Sequence, residues 1–548
     1  MLSKPIPLLD FSPDADPRTP GLFLDMDGFI GTTKGLKTLP AAVAIGDPLL
    51  GFSRGTYAAE LSSGFVIVVA GTSDHLYRRD GMHWTQFDGG QTFHGGTNRW
   101  SFTTFGMYII AVNGVDPPQI SRSNQPFQSI ASLVAADQAP PISHIVETTD
   151  YSIFLIPTDQ SKFAWYASSS PLVGWKPDVA TLTAAAPLTA TPGRVTSAHR
   201  LRGGIVIFKN RGLYFGQFQG PPFVYAFISI SDTVGAPSQD SVVSDGDVLY
   251  LRGPDNFYRF DGSSLTPIPN NLKEWFQANA DPEQLSHMLG RYDPVERIVY
   301  WHFASLERRF VGQLDLWLAF STRSQKWTKG SGVLDENGRR DFVIDVLLPG
   351  TTLRTPGLTY ARFDAQFGTY PSPTNDTMHD FVYGDPSFDG TTTGAAAAVV
   401  GSDNVLRTFT GLSPGGMLRT GEISDPPYVL LLSQVRPVFS AWPERPTDPD
   451  TATRSTPQAF LDAVRQRSSG EPIPDDRPFK FPTGEFPPAN FDRPPHGLSR
   501  GITPRAFLSQ DGAFNFLQTA RMHQLMMSFT AFTEITAVQY DLTRMGTQ

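Results

Sequence analysis

Apolar residues along most of this chain come in short runs, which are separated by turns rich in Gly, Pro, Asp and Asn. Short apolar runs bounded by turn residues are typical of β-strands. The clearest predicted strands lie at 100–112, 151–156, 204–208, 248–251 and 297–303. Helical patterns are scarce: we expect a short amphipathic turn at 271–278 and one helix at 457–467, with Pro457 in its first turn.

One phrase occurs twice in the chain. His-Leu-Tyr-Arg-Arg-Asp-Gly at 75–81 returns as Asn-Phe-Tyr-Arg-Phe-Asp-Gly at 256–262, and each copy follows a strand-like run. Gly and Asp tolerate the positive φ that a tight hairpin turn requires. The phrase therefore predicts a hairpin unit, and a hairpin repeated along a long chain indicates a radial or stacked β array.

These patterns predict an all-β protein with a β-propeller-like body of repeated antiparallel strand units, interrupted by inserted β and Pro-rich segments. The expected divisions are an extended N-terminal arm at 1–44, the propeller-like body at 45–330, a β-rich second section at 331–440, a Pro-rich insert with the short helix at 441–505, and C-terminal strands at 506–548. We expect the C-terminal strands to close the body, because closure removes open sheet edges.

Composition narrows the classes of function. The 548 residues include 49 Gly and 47 Pro but no Cys, which excludes disulfides, thiolate metal sites and cysteine nucleophiles. The formal net charge of −9 provides no basic footprint for gripping nucleic acid, although an acidic surface suits DNA that only slides past. No apolar run approaches the roughly 20 residues that span a bilayer, and the N-terminus lacks a signal-peptide core, so we expect a soluble protein.

An apolar run followed by Asp25-Met26-Asp27-Gly28 is similar to the nucleophile motif of haloacid-dehalogenase-type phosphatases, and 384–389 is similar to their acidic magnesium motif. In that chemistry the first Asp attacks phosphorus and the second handles the proton. The surrounding sequence lacks alternating strands and helices, so we favour two Asp- and Gly-rich turns. The phosphatase reading remains a minor alternative.

The run Asp88-Gly-Gly-Gln-Thr-Phe93 resembles the Asp-box turn of sialidase-like propellers. In such a turn the Asp side chain accepts hydrogen bonds from nearby backbone amides, which is a structural role. The run therefore supports a propeller blade, and a glycan-binding or glycan-cleaving propeller stays open as the second hypothesis for function.

The remaining chemistry-bearing residues form no recognisable catalytic pattern. The ten His lack the paired spacing of a metal site, and neither a phosphate-binding Gly-rich loop nor a Gly-x-Ser-x-Gly elbow occurs. We predict a non-enzymatic protein without a cofactor or a metal. The aromatic residues of the Pro-rich insert are candidate assembly contacts, because apolar anchors on an extended segment need a partner surface: Trp442, Phe479, Phe481, Phe486 and Phe491.

Several short sequence motifs, which we call phrases, follow one another along most of the chain. They include Thr19-Pro20-Gly21, Leu76-Tyr77-Arg78 with Trp84, 100–105 followed by 109–118, 163–167 with Trp175, 204–214 followed by 220–223, Tyr292-Asp293-Pro294 with Trp301, and Asp511-Gly512 with Arg521-Met522-His523. Their order resembles the tail nozzle proteins of short-tailed bacteriophages, which are also described as tail hub or packaged-DNA-stabilisation proteins. The insert at 441–505 has no counterpart in that resemblance.

The resemblance implies a structural virion protein of the tail, assembled in the host cytoplasm. It implies a hexameric ring that extends the DNA channel, retains packaged DNA and conducts it at ejection. The implied partners are other copies of this chain, a portal-proximal adaptor, tail fibres or spikes, and double-stranded DNA that passes without sequence-specific binding.

Overall fold

The structure is a computed structural model. It describes residues 5–62, 66–122, 125–307, 313–335, 339–348, 398–425, 427–441, 458–465, 499–500, 505–509, 512–520, 522–529 and 533–547. The described chain is built almost entirely of β-strands, which confirms the predicted all-β class.

The chain begins with strands β1 to β5. Their bounds are Ile6–Pro7, Phe23–Asp27, Phe29–Gly31, Leu36–Thr38 and Ala42–Ala44. The next strands, β6 to β29, form six antiparallel groups of four sequential strands each, which we call blades 1 to 6; the first group, β6 to β9, is part of a larger sheet.

Blades 1 to 3 have the following bounds. Blade 1 contains β6 (Thr56–Glu60), β7 (Val66–Gly71), β8 (Leu76–Asp80) and β9 (His83–Gln86); blade 2 contains β10 (Ser101–Phe105), β11 (Tyr108–Val112), β12 (Gln119–Arg122) and β13 (Gln128–Ser129); blade 3 contains β14 (Ser143–Thr148), β15 (Ile153–Pro157), β16 (Trp165–Ser168) and β17 (Ala184–Ala186).

Blades 4 to 6 continue the series. Blade 4 contains β18 (Val195–Leu201), β19 (Gly204–Lys209), β20 (Gly212–Phe218) and β21 (Tyr225–Ser231); blade 5 contains β22 (Val242–Ser244), β23 (Leu249–Arg252), β24 (Phe257–Phe260) and β25 (Leu265–Pro267); blade 6 contains β26 (Leu289–Asp293), β27 (Ile298–Phe303), β28 (Leu316–Ser321) and β29 (Trp327–Ser331).

The helices of the described chain are short. Helix α1 spans Lys273–Asn279, and 3₁₀ turns lie at Ile130–Ser132, Ala136–Gln138, Val179–Thr181, Gln239–Ser241 and Pro282–His287. Helix α1 confirms the helical turn predicted at 271–278.

A seventh blade closes the ring. Beyond the two-stranded hairpin β30 (Val333–Leu334) and β31 (Arg340–Asp341), its strands are β32 (Val343–Leu348), β33 (Ala398–Gly401) and β34 (Leu406–Phe409). The N-terminal β5 completes this blade by pairing with β34, and β32 pairs in parallel with β6 of blade 1. The first strand of each blade, or the turn leading into it, contacts that of the next blade, so these strands line one axis. The body is therefore a seven-bladed β-propeller.

Several second strands of the blades, and the third strand of blade 6, are buried on both faces, because each blade lies between two others. All residues of β15, β19, β27 and β28 are buried. A strand covered on both sides reads as a continuous apolar run, without alternation. This burial explains why the predicted strands at 151–156, 204–208 and 297–303 stood out in the sequence, and the structure confirms them.

The repeated phrase occupies equivalent places in two blades. Its first copy forms β8 and the turn to β9, and its second copy forms β24 and the turn to β25. Gly81 has φ +60° and Gly262 has φ +91°, the left-handed region that favours glycine. The predicted hairpin unit is confirmed as the third strand of a blade and the turn that follows it.

The last strands are β35 to β42. Their bounds are Gly416–Ser424, Tyr428–Ala441, Gln458–Arg465, Ser499–Arg500, Arg505–Phe507, Phe514–Ala520, Met522–Phe529 and Glu534–Thr547. They form two sheets with the N-terminal strands: β3-β4-β42-β36-β40 with β1 on β42, and β2-β35-β41-β37-β38 with β39 on β37. We call this pair of sheets the two-sheet unit.

The two-sheet unit and the propeller share one hydrophobic core. Phe29, Leu432 and Phe514 of the two-sheet unit belong to the same buried cluster as Trp301 and Trp327 of blade 6. The two indole rings stack at 5.9 Å between their centroids. Aromatic burial of this extent makes the propeller and the two-sheet unit one packed body.

Three expectations about organisation differ from the structure. The described residues of the expected extended arm, 5–44, are not a separate segment, because β1 to β5 pair within the two-sheet unit and blade 7. The C-terminal strands lie in the two-sheet unit, and the described strand that completes blade 7 is β5. The residues at 331–440 divide between blade 7 and the two-sheet unit.

The helix predicted at 457–467 is wrong. Gln458–Arg465 is the strand β37, which pairs with β41 on one side and with β38 and β39 on the other. β41 pairs with β37 along nearly its whole length and β39 and β38 pair with its two ends, and this tertiary pairing overrides a helix signal as short as this one. The other residues of the predicted insert lie largely outside the described chain.

Candidate functional site at the propeller axis

Four blades carry an ionisable residue at the same repeat position, two residues before the first strand. These residues are Arg54 in blade 1, Arg99 in blade 2, Asp240 in blade 5 and His287 in blade 6. Because the first strands line the axis, equivalent positions converge on one mouth of it. Asp345 on β32 adds a fifth group from blade 7. We call these five residues the axial cluster.

Arg99 bridges three blades across this mouth. Its Nε donates to Oδ2 of Asp240 at 2.5 Å, and its Nη2 donates to Oδ1 of Asp345 at 2.5 Å. Burial alone would lower the pKa of Arg99, but the two carboxylates outweigh it and raise that pKa further above its ordinary value. The guanidinium is therefore permanently charged and joins blade 2 to blades 5 and 7.

Asp345 is fully buried and completely hydrogen-bonded. Besides Arg99, its Oδ1 accepts from the amide of Val346 at 2.9 Å. Its Oδ2 accepts from the hydroxyl of Ser53 at 2.5 Å and from that of Thr56 at 2.9 Å. A buried carboxylate is tolerated when it is paired and its lone pairs are satisfied. Asp345 therefore ties the seventh blade to blade 1 beside the parallel pairing of β32 and β6.

Arg54 is the cation of the cluster that has no anionic partner among the described residues. Its backbone is fixed by bonds to Gly71 and Trp100, and its guanidinium lies 4.6 Å from the ring centroid of Phe52. Its Nε is buried without an acceptor, which costs about 1–3 kcal/mol for a polar group. Burial and the charge of Arg99 lower the pKa of Arg54, and the opposing effect of Asp345 is smaller.

His287 ends the 3₁₀ turn that leads into blade 6, and its side chain is accessible to solvent. Burial, then the charges of Arg99 and Arg54, lower the pKa of His287 below its ordinary value. His287 is consequently neutral near pH 7. Two cations thus act on one imidazole at this mouth of the axis.

A second polar group lies toward the other end of the first strands. Glu147 is the fifth residue of β14 and accepts from the amide of Thr148 at 2.8 Å and from the hydroxyl of Thr103 at 3.4 Å. Burial raises the pKa of Glu147 to about 7, against the smaller effect of these hydrogen bonds. The nearby Arg200 forms its ion pair with Asp150.

The phosphatase-like aspartates have structural partners. Asp25 and Asp27 lie on β2, a strand and not the predicted turn. Asp25 accepts from Lys329 Nζ at 2.7 Å, and Asp27 accepts from the amide of Ser331 at 2.8 Å and pairs with Arg340 Nη2 at 2.8 Å. Both carboxylates thus join the two-sheet unit to blade 6 and its following hairpin. The acidic motif at 384–389 lies outside the described residues.

The Asp-box prediction is confirmed in its structural sense. Asp88 is fully buried after β9. Its carboxylate accepts from the amide of Gly90 at 2.9 Å and from the amide of Leu76 at 3.4 Å, and it contacts Nδ1 of His75 at 2.8 Å. These bonds fix the connection between blades 1 and 2.

The predicted assembly contacts lie where the structure gives no description. Trp442, Phe479, Phe481, Phe486 and Phe491 all fall outside the described residues. Over the described ranges, no three His, Asp or Glu side chains approach closely enough to hold a metal ion. No helix in the same ranges is long and apolar enough to cross a membrane.

The axial cluster was not found from the sequence. Its members lie up to nearly three hundred residues apart, from Arg54 to Asp345, and share no motif; four of them share their place in the repeat. Aligning the blades by their first strands would have brought Arg54, Arg99, Asp240 and His287 to one column. That alignment requires the number of blades. The sequence does not reveal this number, because the seventh blade is completed by β5 from the N-terminal part of the chain.

Comparisons with known proteins give a likeness of fold. The chain matches no model of a known protein family, and no curated protein matches it. Similar solved structures include the extracellular domain of the putative hybrid two-component system BT4673 from B. thetaiotaomicron, with 8% identity and a TM-score of 0.39 over 79% of this chain and 44% of that one. The present chain thus spans less than half the length of that structure.

Two further similar structures are single propeller domains. The Myceliophteria thermophila Cps50 (Swd1) β-propeller domain has 7% identity and a TM-score of 0.38, over 68% of this chain and 98% of that one. The Neurospora crassa Pan2 WD40 domain has 9% identity and a TM-score of 0.35, over 60% of this chain and 92% of that one.

Proposed function

We propose that this chain is a structural subunit of the tail nozzle of a short-tailed bacteriophage. In this role six copies form a ring that extends the DNA channel, retains the packaged genome and conducts it at ejection. The subunit is non-enzymatic, and its partners are a portal-proximal adaptor, fibres or spikes, and passing DNA.

The observation that carries the proposal is the single packed body formed by the propeller and the two-sheet unit. Trp301 and Trp327 of blade 6 lie in one core with the two sheets. Asp25 and Asp27 accept hydrogen bonds across the boundary between the two-sheet unit and blade 6. The wall of a pressurised duct needs subunits that do not hinge internally. A body with both chain ends paired into one unit meets that requirement.

The phrases that resemble nozzle proteins fall on successive blades. Leu76-Tyr77-Arg78 lies in β8, 100–105 covers β10, 163–167 covers β16, and Trp301 lies in β27. The phrase at 204–214 covers β19 and enters β20. The resemblance therefore follows the repeat of the fold, which favours a common architecture over chance likeness of isolated turns.

The axial cluster supports a proposed duct that lies outside the propeller axis. Arg99 crosses one mouth of the propeller axis to reach Asp240 and Asp345. Under the proposal, DNA passes through the opening between six subunits, and each propeller is part of the wall. A ring of heterologous contacts closes without leaving an unpaired surface.

The test is the assembly state of the full chain. We expect mass photometry and negative-stain imaging to reveal a six-fold ring, either alone or on the purified adaptor. A monodisperse monomer in both conditions would overturn the proposal. Saturable binding on a glycan array, or glycosidase activity, by that monomer would then favour the propeller glycan protein.

A further inference from the structure

The mouth of the propeller axis has more hydrogen-bond donors than acceptors. Arg99 is committed to Asp240 and Asp345, whose carboxylates neutralise the arginine and leave one negative charge in excess. Arg54 balances that charge but forms no hydrogen bond or ion pair with them. The formal charges of the two arginines and the two aspartates therefore sum to zero, but only Arg99 is bonded to the carboxylates.

Arg54 is held in place without being satisfied. Stacking over Phe52 and the backbone bonds to Gly71 and Trp100 fix its direction, while Nε is buried without an acceptor. A guanidinium presents a planar fork of donors that matches the oxygens of a carboxylate or a phosphate. A pre-positioned fork loses little conformational freedom when it binds such a group.

His287 provides a third donor at the same mouth. The charges of Arg99 and Arg54 both lower the pKa of its ring. The neighbouring acidic groups, Asp240 and Asp345, are both engaged by Arg99. An anion between the two arginines would favour the protonated imidazole, which is the form that donates from both ring nitrogens.

We propose that this mouth binds an oxyanion group, with Arg54 as the principal donor and His287 as a pH-dependent second donor. The group is a carboxylate or a phosphate-like ion, either free or on an acidic peptide. This inference stands independently of the nozzle proposal, since it concerns one monomer.

Sulfate is the appropriate first probe, because it keeps two negative charges from pH 5 to 8. Isothermal titration of the full chain, with chloride replaced by sulfate at constant ionic strength, should give saturable binding with one site per chain. The Arg54→Gln variant should bind at least tenfold more weakly, and Arg54→Lys should lie between. Arg211→Gln removes another exposed arginine, in the turn between β19 and β20, and should bind as the wild type does.

The pH dependence tests the second donor. Sulfate should bind several-fold more tightly at pH 5.5 than at pH 8, and His287→Gln should remove that difference while binding persists. Equal binding by wild type and Arg54→Gln, or no saturable binding at either pH by the folded wild type, overturns the proposal. If Arg54→Gln does not fold, Arg54→Lys and His287→Gln decide it by the same criteria.

A second titration distinguishes the sources of the group. A short glutamate-rich peptide that displaces sulfate, and that binds more tightly than sulfate does, would identify an acidic segment of a partner as the ligand. Sulfate binding that the peptide leaves unchanged would assign the site to a free ion. Either result depends on Arg54 if the site is the axial mouth.

Discussion

The carboxyl of Glu147 should make the protein less stable as the pH rises through neutrality. Burial raises its pKa from the ordinary 4.5 to about 7 in the folded chain, so folding favours the protonated form. The associated stability is fully present below about pH 4.5 and is lost as the pH passes through about 7. A difference of this size is worth up to about 3 kcal/mol in the free energy of unfolding, and partial solvent access makes that an upper limit.

The perturbation that tests this reasoning is Glu147→Gln. The amide keeps an acceptor for the Thr148 amide and the Thr103 hydroxyl, which Glu147 engages at 2.8 and 3.4 Å, but it cannot ionise. We expect the variant to exceed the wild type by less than about 1 kcal/mol at pH 5 and by about 1–3 kcal/mol at pH 8.

The assay is urea unfolding followed by tryptophan fluorescence at several pH values from 5 to 8. Glu60→Gln serves as the matched control, because Glu60 is an exposed glutamate on β6 and its replacement should leave the pH profile unchanged. Parallel profiles for wild type and Glu147→Gln would refute the reasoning, since they would mean that Glu147 ionises as readily in the folded chain as in the unfolded one.

Four further substitutions test the contacts and turns that hold the body together. Arg99→Met leaves buried carboxylates without their cation and should lower the unfolding free energy by about 3–5 kcal/mol in urea titration; an unchanged value would mean that the bridge contributes nothing. Asp27→Ala should lower the unfolding free energy by about 1–3 kcal/mol and expose the boundary of the two-sheet unit to limited proteolysis. A wild-type digestion pattern would mean that the Asp27 contacts do not hold this boundary. Gly330→Ala puts a Cβ 2.1 Å from Cζ2 of Trp317 and should cost at least about 1–3 kcal/mol, while Gly81→Ala, which has nothing within 4 Å but φ +60°, should cost about 1 kcal/mol in the same titration.

The sequence was sufficient to predict local elements of this fold, namely buried strands and hairpin turns. Buried strands such as β19 and β27 read as apolar runs, and the phrase ending in Gly81 and again in Gly262 marks the same turn in two blades. These features depend on near neighbours in the chain. Their physical causes, burial on both faces and positive φ, act within a few residues.

The pattern of apolar and polar residues could not predict which distant segments pair. The run at 457–467 has acceptable helix signals, and only the presence of β41 and β39 on either side makes part of it a strand. Likewise, Asp25 and Asp27 looked like chemistry because their partners, Lys329 and Ser331, lie some three hundred residues away. A carboxylate is read as reactive or structural according to what it contacts, and that information is tertiary.

The N-terminal strands have a consequence for biogenesis. Ala44 pairs with Arg407, and Ile6 pairs with Val538, so these early strands wait for partners that are synthesised several hundred residues later. At about 5–20 residues per second, the wait amounts to roughly 20–100 s. During that interval β1 to β5 carry unsatisfied edges and apolar side chains, and such long-range closure is intrinsically slow. The propeller can therefore close only after β34 has been synthesised, and before that step nascent copies crowded on one message are most exposed to exchange of N-terminal strands between neighbours.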